Sequence, residues 1–145
     1  MTLFGDPALQ QDLTTLRGHA LVVMRRLAPF EPVLFGAIVD GTASAHSRIN
    51  LCVFLDTVEE LLIYLINENI PFNVGEMKVR FNRQSTRATP MVEFIAGDAD
   101  VRILILPPRQ RQLPIDALSG ERYRRMTLAQ LQNTVDADAR LKAAK

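Results

Sequence analysis

Val33 to Leu55 reads V-L-F-G-A-I-V-D-G-T-A-S-A-H-S-R-I-N-L-C-V-F-L. Two apolar runs are joined by small and polar residues. Val33 to Val39 is short, apolar and partly β-branched, which predicts a buried strand. Asp40-Gly41 signals a turn. Thr42 to Ser47 is long enough for a loop or one helical turn. From Arg48 the pattern alternates. Ile49, Leu51, Val53 and Leu55 share one side of a strand, and Arg48, Asn50, Cys52 and Phe54 share the other. The first side is expected in the core. The second starts polar and turns apolar, so its start is expected to face a cleft or solvent.

Upstream, Leu9, Leu13, Leu16, Ala20, Met24 and Leu27 recur at steps of three and four, one stripe of an amphipathic helix. Asp6-Pro7 reads as its start, with Asp as cap and Pro at the first helical position. Pro29 and Pro32 end it. Downstream, Thr57-x-x-Glu60 reads as a capping box before a helix carrying Val58, Leu61, Leu62, Leu65 and Ile66. Val74 to Phe81 alternates like a half-exposed strand. Asn82 to Pro90 is polar and reads as a turn region. Met91 to Ala96 and Val101 to Leu106 read as strands about a tight turn at Gly97-Asp98, so residues 74–106 are expected to form an antiparallel meander. Residues 107–126 are rich in Pro and Arg and predict an extended arm over the domain. Thr127-x-x-Gln130 is a second capping box, ahead of a weak stripe of Leu128, Leu131, Val135 and Leu141.

The order is helix, strand, loop, strand, helix, three strands, helix. A strand–helix–strand crossover plus a meander gives an α/β (α+β) fold: a mixed sheet with helices mainly on one face.

Composition narrows the function classes. A chain of 145 residues with a 48% hydrophobic fraction fits one domain with a full core and argues against disorder. No apolar run approaches the roughly 20 residues of a membrane helix, so no membrane partner is expected. The early Asp6 and the lack of a basic, apolar and small-residue succession argue against a leader peptide. One cysteine, Cys52, excludes an internal disulfide, and a cytoplasmic location is the default expectation. The net charge of +1 exerts no global pull on nucleic acid. From Arg109 to Lys145, however, eight Lys or Arg face four acids, so the tail is locally basic.

The element order and the 33–55 stretch together resemble the nucleotidyltransferase superfamily, the fold of polymerase-beta-like enzymes and small antitoxin-type nucleotidyltransferases. That pattern is a strand ending in Gly-Ser or Gly-Gly, a helical loop with a further Gly, then Ser-Asp-x-Asp opening the next strand. The counterparts here are Gly36-Ala37, Gly41 and Ser47-Arg48-Ile49-Asn50. The resemblance covers residues 8 to 106. It implies a nucleotidyltransferase-like domain over 1–106, with 107–145 a basic arm and C-terminal helix packed on the same domain.

The resemblance also implies a chemistry. Two carboxylates at i and i+2 of one strand, and a third on a neighbouring strand, would hold Mg²⁺ against a triphosphate. Here the first two positions carry Arg48 and Asn50. The third falls on the 101–106 strand, with Arg102 its expected occupant. Ala37 replaces a small polar residue. The resemblance therefore implies a divergent member without the metal carboxylates, and no cofactor is expected. In place of the metal site stands a candidate anion pocket: Gly36, Gly41, Thr42, Ser44, Ser47, Arg48, Asn50 and Arg102, with loop amides from Gly41 to Ser44 as further donors. Guanidinium groups match phosphate geometry, so the expected role is binding of a nucleotide or another phosphate-bearing small molecule, or else that of a protein-interaction module.

Other readings stand beside this one. Arg48 and Asn50 also fit a plain polar strand start, and Gly36 and Gly41 fit backbone turns. An active, Mg²⁺-dependent nucleotidyltransferase would need Asp40, Glu93 or Asp100 in the site. A nucleic-acid binder would use Arg109, Arg111, Arg122, Arg124 and Arg125, but only Tyr123 lies among these charges, so a stacking platform is lacking. His46 is a lone loop histidine and His19 a helix surface or packing residue. Cys52 reads as a small buried hydrophobe, and Glu93 as a cross-strand paired residue. A homodimer is a further expectation, since a small sheet with an edge meander offers an edge.

Overall fold

The computed structural model describes residues 7–144. Helix α1 spans Pro7–Arg26 and a short 3₁₀ turn follows at Ala28–Phe30. Strand β1 is Val33–Phe35, the one-turn helix α2 is Ala37–Asp40 and β2 is Ile49–Phe54. Helix α3 is Glu59–Asn67. Strands β3, β4 and β5 are Asn73–Arg80, Thr86–Ala96 and Ala99–Leu106, and α4 is Leu128–Ala143. Asp6, predicted as the cap of α1, lies outside the described residues.

The five strands form one sheet in the order β1-β2-β5-β4-β3. The β2–β5 pair is parallel and the other three are antiparallel. This is the expected mixed sheet, with the meander in β3, β4 and β5. Strand alternation sorts its residues onto two faces. Leu34, Ile49, Leu51, Val53, Val92, Phe94, Val101, Ile103 and Ile105 meet α1, α3 and α4 in the main core. The predicted α1 stripe is buried from Leu13 onward, while Leu9 is exposed. Arg17 and Asp138 tie α1 to α4 through a part-buried ion pair at 3.3 Å.

Among the described residues, the opposite face carries no helix. Val33, Phe35, Cys52, Val79, Leu104 and Leu106 form a second cluster that is sealed by Leu113 of the arm. The arm is tied down by backbone bonds in both directions between Leu34 and Met126 and by Ile115 N–H to the Arg80 carbonyl. Arg122 donates to the carbonyls of Leu113 and Phe81, and Tyr123 packs on Phe35 at 4.9 Å between ring centroids.

Three predicted elements are corrected. The strand predicted over Val33 to Val39 stops at Phe35. Gly36 takes φ +92°, ψ −152°, a conformation essentially reserved for glycine, and the chain turns into α2, which buries Ile38. The predicted capping box at Thr57 is not formed: α3 starts at Glu59 and its cap position, Val58, makes no side-chain bond. The polar segment Thr86 to Pro90 is strand, not turn, because it pairs with β3 from Glu76 to Arg80. Pro90 fits there because the β4–β5 pairing begins one residue later, at Met91 and Leu104, so little of that ladder needs its missing N–H. The second capping box is present as predicted: Gln130 N–H donates to Thr127 Oγ1 at 3.2 Å, and Thr127 N–H to Gln130 Oε1 at 2.8 Å.

Candidate functional site

The helix-free face has one polar row. Phe35 of β1 stands opposite Asn50 of β2, Asn50 opposite Arg102 of β5, Arg102 opposite Glu93 of β4, and Glu93 opposite Asn73 of β3. Two rows further along, the same face is apolar and covered by the arm. The expectation that the start of this strand side faces out, and its end faces the core, is met: Cys52 is buried while Arg48 and Asn50 are half-buried.

Gly36 closes the row at β1. A Cβ built on it would lie 3.0 Å from Asn50 Nδ2, so the absence of a side chain there lets the Asn50 amide sit against the backbone. Gly41 takes φ +79° and caps α2.

At the centre, Arg102 directs Nε and Nη2 at one oxygen of Glu93, Oε2, at 3.2 and 3.1 Å. Arg48 Nη2 approaches the same oxygen at 3.7 Å. Arg102 also reaches Met77 Sδ at 3.8 Å. The three side chains are part-exposed, 37% for Arg48, 32% for Glu93 and 21% for Arg102. The set carries two positive charges against one negative. Arg48 Nε is buried and has no hydrogen-bond partner, so this guanidinium has donor capacity to spare.

The other candidate residues are placed differently. Gly41 and Thr42 N–H groups both donate to the Ala37 carbonyl, and Ser44 N–H donates to Ser47 Oγ at 2.9 Å. Of the loop amides predicted as anion donors, those of Gly41, Thr42 and Ser44 are thus spent in closing the loop on itself. The Ser47 hydroxyl is what folds it. His46 is exposed in this loop, and His19 stands on α1 beside the opposite, helix-covered face.

The carboxylates proposed for an active enzyme do not assemble. Asp40 pairs with Arg124 at 3.3 Å, Glu93 is held between two arginines, and Asp100 is exposed. Among the described residues, no three His, Cys, Asp or Glu side chains converge as a metal-binding group. The donor set of the row, Arg48, Asn50 and Arg102 around one already paired carboxylate, does not fit Mg²⁺, which asks for oxygen ligands and carboxylate charge.

In the arm, Arg122, Arg124 and Arg125 are also engaged. Arg124 meets Asp40, and Arg125 donates to the Arg111 carbonyl and lies over the Phe54 ring at 5.6 Å. Burial pushes the Tyr123 hydroxyl above its usual pKa, with Asp116 and Asp40 adding to the effect.

Glu93, read from the sequence as cross-strand paired and as a carboxylate of the active-enzyme alternative, is paired across strands with Arg102 at the centre of the row. Its position was countable. A two-residue turn at Gly97-Asp98 pairs Ala96 with Ala99, and counting back along both strands pairs Glu93 with Arg102.

No family model matches the chain, and no curated protein matches it. Among solved structures, the chain is similar to a cytoplasmic RNA terminal U-transferase, at 22% identity over 70% of this chain and a TM-score of 0.37. It is also similar to Cid1 in complex with the UTP analog UMPNPP and to the Cid1 poly(U) polymerase, each at 18% identity over 69% of this chain with a TM-score of 0.38. The chain spans 29% to 31% of the length of those proteins.

Proposed function

We propose that this protein is a nucleotidyltransferase-like domain without the metal chemistry, and that its polar row binds a phosphate-bearing ligand, with a nucleotide the leading candidate. The observation that carries the reading is the convergence of Arg48 and Arg102 beside Asn50, on the two strands where the resemblance expects metal-binding carboxylates. The local charge is reversed from what Mg²⁺ needs to what phosphate needs. Planar guanidinium groups held at a half-buried strand start bind phosphate without a bridging metal. A cationic site of this kind supports binding; turnover by metal-assisted phosphoryl transfer has no carboxylate set to support it.

In this reading Arg48 supplies the principal ligand contact through its terminal nitrogens, its Nε being buried. Arg102 is held by Glu93 and positions the charge. The Asn50 amide adds a neutral donor and acceptor, and Gly36 keeps room for it. The arm serves the second core, with Arg122, Arg124 and Arg125 bonded internally, which makes nucleic-acid binding by the arm the weaker reading. The test is calorimetric titration with ATP and GTP, with and without EDTA, on the wild type and on Arg48→Ala. The reading expects binding that EDTA does not change and that Arg48→Ala weakens. Its contradiction is the lack of any nucleotide binding at millimolar concentration.

A further inference from the structure

Glu93 holds the place a ligand would take. It lies in the same row as Arg102 and Asn50, on the exposed face, and one of its oxygens gathers contacts from both arginines. The contacts are unequal. Arg102 makes two hydrogen bonds at 3.1 and 3.2 Å, whereas Arg48 stands off at 3.7 Å, beyond hydrogen-bond distance. All of them fall on Oε2, so the carboxylate faces two guanidinium groups through one atom and hydrogen-bonds only Arg102. Arg48 is left with a buried Nε that has no partner.

This geometry is that of a stand-in anion. We infer that Glu93 is an intramolecular competitor for the anion site: it holds the two arginines in place when the site is empty, and its carboxylate yields Arg48 to an incoming phosphate. The inference rests on the reading of this row as an anion site and names what sets its selectivity. A singly charged ligand exchanges one carboxylate-like charge for another and gains little. A phosphate dianion matches the two guanidinium charges together and offers separate oxygens to Arg48 and Arg102. The favoured class is therefore a terminal phosphate or pyrophosphate carrying at least two negative charges, over the singly charged diesters of a nucleic-acid backbone. Glu93 is one-third exposed, so its carboxylate turns into water without a burial cost.

The experiment is a titration of wild type, Glu93→Gln and Glu93→Asp with pyrophosphate and with dimethyl phosphate. Calorimetry gives affinity, and the arginine Nε–H signals of Arg48 and Arg102 give the place of binding. Glu93→Gln keeps the side-chain shape and removes the competing charge. It is expected to bind pyrophosphate on the order of tenfold more tightly than wild type, as loss of one like charge within several ångströms of a part-exposed site predicts. Dimethyl phosphate, with a single charge, is expected to gain less from the substitution than pyrophosphate, so the preference for pyrophosphate widens. Glu93→Asp, with a shorter reach to Arg48, is expected to fall between the two. Thermal melting establishes that each variant is folded at the titration temperature. If wild type binds pyrophosphate and Glu93→Gln binds it equally or less tightly, this inference is overturned and the anion site stands. If neither binds pyrophosphate, both fail together.

Discussion

Asn50 of β2 and Arg102 of β5 stand directly opposite each other in the parallel pair at the centre of the sheet. Gly36, at the end of β1, leaves the space in which the Asn50 amide sits. The polar row thus depends on a strand register and on one missing side chain. Gly36→Ala should lower stability by about 1–3 kcal/mol, since the backbone at φ +92°, ψ −152° is strained for any L side chain. Its Cβ would also press on Asn50 Nδ2. Urea unfolding measures the loss. Asn50→Ala in the Gly36→Ala background should recover the contact part and leave the backbone part; full recovery would show that the backbone carries no strain.

Leu113 is the plug that joins the arm to the second core, at 1% exposure, while Leu118 of the same arm is 98% exposed. Leu113→Ala should cost about 2–5 kcal/mol and Leu118→Ala close to nothing. Limited proteolysis adds a second readout: Leu113→Ala should open cleavage between residues 107 and 126 before the rest of the chain is cut. Equal stability of the two variants would show that the arm does not seal the sheet.

The two capping boxes of the sequence separate in the structure. Thr127→Ala removes a side-chain acceptor from Gln130 N–H and should cost about 1 kcal/mol. Thr57→Ala removes no cap bond and should change stability by less than a few tenths of that. Denaturant midpoints of the two single variants decide between them.

The fold and the site were legible in the sequence to different extents. Helix α1, β2, the meander and α4 carry period or capping signals that tertiary packing reinforces, so they were readable. The end of β1 was not, because Ala37 to Val39 is as apolar as a strand and only the backbone at Gly36 shows the break. The Thr86 to Pro90 part of β4 was missed because it is polar; its strand state comes from pairing with β3, which no local pattern encodes. In the site, Arg48, Asn50 and Arg102 were picked out by their place in a resemblance, and the parallel register that sets Asn50 beside Arg102 is a long-range fact beyond the reach of spacing. The role of Glu93 lay within reach through the Gly97-Asp98 turn. The state of the loop amides is not legible, because Ser47, which reads as a ligand donor, bonds its own loop.

Cys52 links the second core to pH. It is fully buried beneath the arm, and burial pushes its thiol from 9.0 to about 12, against a smaller opposing pull from Arg125. Below pH 9 the thiol holds its proton in both the folded and the unfolded chain, and its contribution is fully present. Between about pH 9 and 12 the unfolded chain releases a proton that the folded chain retains. Stability should therefore fall by about 1.4 kcal/mol per pH unit from this group alone. Tyr64 and Tyr123, whose hydroxyls are also raised by burial first, act in the same direction. Unfolding midpoints of wild type and Cys52→Ala across that range should diverge at neutral pH and converge as pH rises. A parallel pair of curves would contradict the assignment.

The central claim is that the row of Asn50, Arg102 and Glu93, with Arg48 at its edge, is an anion site that works without a metal. Titration of the protein with ATP in the presence of EDTA, and again with excess Mg²⁺, tests it most directly. Binding in EDTA is predicted to be no weaker than with Mg²⁺ and to be weakened in Arg48→Ala. Binding that appears only with Mg²⁺, or no binding at millimolar ATP under either condition, would contradict it.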